Sequence, residues 1–127
     1  MNKAFLVLFL MILGHLIADY PLQGWLAQAK AKSFWENSPK KNKHDYIPAL
    51  ICHGLMWSII ISLPIMYYNW QNLNEFWLFI PVNAIIHCSV DHSKANHKTF
   101  NLWQDQLFHL AQIVYTWIVW AISFRVF

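Results

Sequence analysis

Four long apolar runs, over residues 4–20, 46–68, 75–91 and 107–127, alternate with polar connectors along the chain. Each is close to the roughly 20 residues a helix needs to cross a bilayer, the first and third at the short end. They predict one domain of four helices, at about 4–20, 46–68, 75–91 and 104–125, with a basic loop over 21–45. Pro21 ends the first run. Pro64 and Pro81 lie within apolar runs and predict kinks, which buried membrane helices tolerate. Tyr20, Trp25, Tyr46, Tyr68, Trp70, Trp77 and Trp103 flank the runs, as interfacial anchors do. The fold class this predicts is all-α, an integral membrane four-helix bundle, with a soluble bundle as the alternative.

Composition sharpens that reading. Charged residues make up 12% of the 127 positions, against 57% apolar ones. A soluble domain carries about 25% charge, and one this small could not cover so much apolar surface. Cys52 and Cys88 form no C-x-x-C pair, so a disulfide scaffold or zinc ribbon is excluded, and both read as small apolar fillers. The N-terminal run resembles a signal peptide but lacks a small-x-small cleavage site, and His15 and Asp19 are foreign to such a segment; it is expected to be retained.

The net charge of +3 comes from clustered lysines. Lys30, Lys32, Lys40, Lys41 and Lys43 fall in the first connector, and Lys94 and Lys98 in the third. Only Lys3 and Arg125 lie at the other end. The positive-inside rule then places the first and third connectors in the cytoplasm and both termini outside. Membrane orientation accounts for the basicity, so the expected partner is a lipid bilayer and not nucleic acid. A homo-oligomer is left open.

The ionisable residues repeat a spacing. His15 and Asp19, His87 and Asp91, and Asp105 and His109 are each four apart, which stacks each pair on one helical face. His53 stands alone on the second helix. The order is His-then-Asp where the chain runs toward the cytoplasm and Asp-then-His in the fourth helix, which runs away from it. An antiparallel bundle needs that reversal to keep like with like. The prediction is a layer of His15, His53, His87 and His109 one turn from a layer of Asp19, Asp91 and Asp105. Ionisable groups inside a membrane are costly, so they pair or serve a site. Imidazole and carboxylate without thiolate suit a divalent transition metal, zinc first, with manganese, iron or nickel as alternatives. Seven ligands exceed what one tetrahedral ion needs, so one or two ions fit, the surplus acting as supporting groups or as a general base. Asp19 and Asp105 are the candidate bases. Gln23, Lys30, Lys94 and Gln106 surround the layer as candidate substrate-binding groups, the lysines suited to an anion. A topology-setting role is the competing reading for both lysines. His44, His92 and His97 are expected in exposed loops.

These residues carry a family resemblance. The segments HLIADYPLQ (15–23), HCSVDHSK (87–94) and DQLFH (105–109), with Lys30 and His53 between them, resemble the DUF3307 family of small bacterial and phage membrane proteins of unknown function. The family typically has Phe where this chain has Tyr20. The resemblance implies a polytopic membrane protein with a polar centre and supplies no reaction.

Three functions remain open on the sequence. The first is an inner-membrane metal-dependent hydrolase acting on a lipid or phosphorylated substrate near the cytoplasmic face. The second is a non-catalytic membrane protein that binds partners, its bundle held by metal or a polar network. The third is ion or metal transport, against which all the polar groups fall in one half of the bundle.

Overall fold

A computed structural model describes residues 2–36, 42–71 and 77–126. Lys40 and Lys41 of the basic connector, and Glu75 at the expected start of the third helix, lie outside the described residues. The described chain is all-helical. Four long helices carry the fold: α1 (Lys3–Asp19), α4 (Tyr46–Tyr68), α5 (Phe79–His92) and α6 (Leu102–Ser123). The first connector is not a bare loop, because it folds into two short helices, α2 (Leu26–Ala29) and α3 (Lys32–Glu36). A π-helical turn, Ser93–His97, continues α5. It closes on Lys98 in the left-handed conformation, with φ of 55°.

The helix starts follow local chemistry. The Asn2 side chain accepts from the Ala4 amide at 3.0 Å, and Asn101 forms a reciprocal capping box with Gln104. Both satisfy amides that a helix start leaves unpaired. Pro81 does not break a helix interior as predicted. It is the third residue of α5, where an N–H has no intrahelical partner to lose. Helix α4 continues through Pro64 to Tyr68.

Alternating helix directions bring the ends of α1 and α5 beside the starts of α4 and α6. Two close approaches set the spacing around α4. At Gly14, a Cβ would lie 3.2 Å from Ile60 Cγ2. At Gly54, it would collide with Cys88 Sγ and lie 3.1 Å from the Ala84 carbonyl oxygen. Small residues that admit such contact are a common device of helix pairs in lipid.

The interior has two halves. Toward the termini it is apolar, with Val7, Met11, Trp57, Ile61, Ile113 and Trp120 packed together. At the other end it is polar. Among the described residues one helix, Tyr46–Tyr68, with mean hydropathy 1.9, is long and apolar enough to cross a membrane by length and composition. Helix α1 has 17 residues, and α6 carries Gln104, Asp105, Gln106, His109 and Gln112 along its 22.

Candidate metal centre

The polar end of the bundle is built from α1, α4, α5 and α6, capped by the segment that leads into α2. His15, His53, His87 and His109 are fully buried, and so are Asp91 and Asp105. The Asp19 side chain is 7% exposed, which makes it the most accessible of the three carboxylates. All seven His and Asp side chains are thus buried or nearly so at this end of the bundle.

Four of these side chains converge on one another. His53 Nε2 lies 3.2 Å from Asp19 Oδ1, 3.3 Å from Asp91 Oδ2 and 3.0 Å from His87 Nε2. His87 Nε2 lies 3.8 Å from Asp19 Oδ1 and 3.6 Å from Asp91 Oδ2. Ligand bonds of about 2.0 Å in a tetrahedron place ligand atoms about 3.3 Å apart. The three separations from His53 come near that edge, and the two from His87 to the carboxylates are longer. Asp19, His53 and His87 form one group able to hold a metal, and His87, Asp91 and His109 form an overlapping one.

The remaining members stand around these four. His109 Nε2 is 3.3 Å from Asp91 Oδ1 and 3.5 Å from Asp105 Oδ1. His15 is brought into the layer, but both its nitrogens are engaged. Trp57 Nε1 donates to Nδ1 at 2.9 Å, so Nε2 carries the proton and donates to Gln106 Oε1 at 3.1 Å. Gln106 in turn donates to Asp19 Oδ2 and Asp105 Oδ2. Packing sets the other rings. His87 stacks on Trp57 with centroids 4.2 Å apart and planes 19° apart, and His109 lies 4.2 Å from His87. The Nδ1 atoms of His53, His87 and His109 have no hydrogen-bond partner among the described residues.

The same groups form a buried ion-pair network. Lys30 Nζ donates to Asp91 Oδ2 at 2.6 Å, and Lys94 pairs with Asp105. Three carboxylates, two ammonium groups and four imidazoles share this network. Asp19 Oδ1 and Asp105 Oδ1 are buried carboxylate oxygens without a hydrogen-bond partner, and both face the cluster. Gln23 closes the α1 side. In the orientation that satisfies its neighbours, its amide donates to the Asp19 carbonyl oxygen at 3.2 Å. Its Oε1 accepts from Lys30 Nζ at 2.6 Å and from His53 Nε2 at 3.0 Å.

Lys30, which could equally have set topology from a loop, turns inward. It is 8% exposed, delivered inward by the turn of α2. Asn96 of the π-helical turn clamps that segment by donating to the Lys30 carbonyl oxygen and accepting from the Lys32 amide. His92 also departs from its expected loop. It ends α5, is half-buried, bonds Asn96 and stacks on Tyr46. His44 and His97 are exposed, as expected.

The polar groups do not all fall in one half. Asn83, Gln112 and Thr116 are buried further along α5 and α6. Gln112 donates to the Asn83 side-chain and main-chain oxygens at 2.8 Å, and Thr116 donates to Asn83 Oδ1 at 3.0 Å. Asn83 is four residues before His87, and Thr116 is seven after His109, so this patch extends the polar interior by about two helical turns. Its signal in the sequence was the helical spacing from His87 back to Asn83 and from His109 on to Gln112 and Thr116.

Together these features define a class: an all-α bundle with a buried His/Asp centre at one end. The chain belongs to the family of proteins of unknown function DUF3307, whose profile matches residues 7–126. The segments HLIADYPLQ, HCSVDHSK and DQLFH all fall within that match. No curated protein and no solved structure matches the chain.

Proposed function

We propose that this protein is a multi-pass protein of the bacterial inner membrane that holds a divalent metal ion, zinc first, on Asp19, His53, His87 and Asp91, and uses it for hydrolysis. The observation that carries the reading is the set of 3.0–3.8 Å separations among the four donor atoms. The outward faces support the membrane. Phe9, Leu13, Ile51, Ile59, Ile85 and Ile122 are exposed large apolar residues on four different helices. Soluble monomers seldom expose so continuous an apolar surface.

A metal held by these residues and taking a fifth ligand would lower the pKa of a bound water and polarise a phosphoryl or acyl oxygen. Of the two carboxylates the sequence offers as base, Asp19 has an oxygen among the converging donors. Asp105 is left, with Oδ1 buried and without a hydrogen-bond partner. A lipid or phosphorylated substrate fits a centre at one end of a membrane bundle. The test is Asp105→Asn in detergent-purified protein, assayed on phosphorylated lipids. Metal content and fold should be retained while hydrolysis falls by about 10²-fold or more, the scale of a lost general base. Undiminished hydrolysis in this variant would contradict the assignment. A metal-free scaffold is the second reading, favoured by the 2.6 Å Lys30–Asp91 pair. It predicts no bound metal in any preparation.

A further inference from the structure

The oxygen that Lys30 holds is the oxygen a metal needs. Lys30 Nζ lies 2.6 Å from Asp91 Oδ2, and that atom is also 3.3 Å from His53 Nε2 and 3.6 Å from His87 Nε2. An ammonium group at hydrogen-bond distance and a metal ion about 2.0 Å away compete for the same carboxylate oxygen. The ammonium has a second place to go, because Gln23 Oε1 already accepts from it at 2.6 Å. Lys94 is different: its partner, Asp105, is not among the four converging donors.

We propose that Lys30 and a divalent metal ion exchange on Asp91 Oδ2, and that the displaced Lys30 ammonium, steadied by Gln23, binds a phosphate-class anion beside the ion. The proposal rests on the metal reading above and deepens it, naming what fixes metal affinity and what class of substrate follows the metal. Without metal, Lys30 is the cation that neutralises Asp91, so the bundle closes on its own side chain. With metal, the three carboxylates face one divalent ion and two ammonium groups, so positive charge exceeds negative whatever the imidazoles carry. That excess and a lysine with three donors together suit a phosphate oxygen. Lys30 stands with Gln23 on the side of Asp19, the most accessible of the three carboxylates.

The full chain in detergent provides the test. Zinc affinity is measured by competition with a chelator for wild type, Lys30→Met, Lys30→Gln and Lys94→Met. Removing the competitor should tighten zinc binding about tenfold or more in both Lys30 variants, and clearly less in Lys94→Met, which removes the same charge without freeing a donor oxygen. Lys30→Gln keeps a hydrogen-bond donor near Asp91, so it guards against a variant that does not fold without metal. The second arm adds inorganic phosphate, or phosphatidic acid in the same micelles, to zinc-loaded protein. Wild type should bind one of them and Lys30→Met should bind it at least tenfold more weakly. Binding of phosphatidic acid alone assigns a lipid headgroup, and binding of inorganic phosphate assigns the free anion. Equal zinc affinities in the Lys30 and Lys94 variants, or anion binding indifferent to Lys30→Met, would overturn the exchange while leaving the metal centre standing. Failure of every variant to take up zinc would instead sink the metal reading, and the exchange with it.

Discussion

His15 and His53 are both fully buried, yet their nitrogens are committed differently. His15 has both nitrogens bonded, one to Trp57 and one to Gln106, whereas His53 Nε2 faces two carboxylates and His87. The two alanine variants should therefore separate. His53→Ala should lose the bound metal. His15→Ala should keep it and lose stability, because Trp57 Nε1 is left buried without an acceptor, at a cost of about 1–3 kcal/mol. Metal analysis and thermal unfolding of the two variants side by side check this, and equal metal loss in both would contradict the division of roles. The four-residue spacing and its reversal in α6 made six of the seven His and Asp residues legible from the sequence, and His53 stood out as a lone imidazole in an apolar run. What each one does was not legible. The acceptor for Trp57 lies 42 residues away, and an indole in an apolar run gives no local sign that it will orient an imidazole. Lys30 was named as a candidate beside the layer, but its pairing with Asp91 was not legible, because its inward direction depends on α2, a single turn too short to announce itself in an apolar pattern.

At the scale of elements, α4 is the spine, since it packs on both α1 and α5 through glycines. The Gly54 contact is the tighter, set against the Cys88 thiol and the Ala84 carbonyl. Adding a methyl there overfills the interface, which costs about 1–3 kcal/mol in packed interiors. Gly54→Ala should lower the melting temperature in detergent, and Cys88→Ala in the same chain should recover most of the loss by removing Sγ. No recovery in the double variant would mean that the carbonyl contact sets the spacing. The long helices were readable because apolar runs near 20 residues declare themselves. The short ones, and the shift of the third helix to Phe79–His92 with a π-helical turn after it, were not. Those depend on where Lys30, Lys32 and Asn96 meet, a contact between segments more than 60 residues apart.

The whole molecule exposes large apolar side chains on all four long helices and buries a polar cluster at one end of an otherwise apolar interior. Basic residues gather at the end that holds the centre: seven of the nine fall in the first and third connectors. Both termini should accordingly lie on the outer side of the membrane. A C-terminal reporter active only outside the cytoplasm is the expected result, and one active only inside would reverse the bundle and move the centre to the opposite leaflet.

If Asp19, His53, His87 and Asp91 together hold one metal ion, X-ray absorption on the zinc-loaded protein reads that donor set directly. The spectrum should show two imidazole nitrogens and two oxygens at about 2.0–2.1 Å, with one imidazole lost in His53→Ala. A sulfur scatterer at about 2.3 Å would place the metal on Cys52 or Cys88, and a shell of oxygens alone would mean surface-bound zinc; either result contradicts the account.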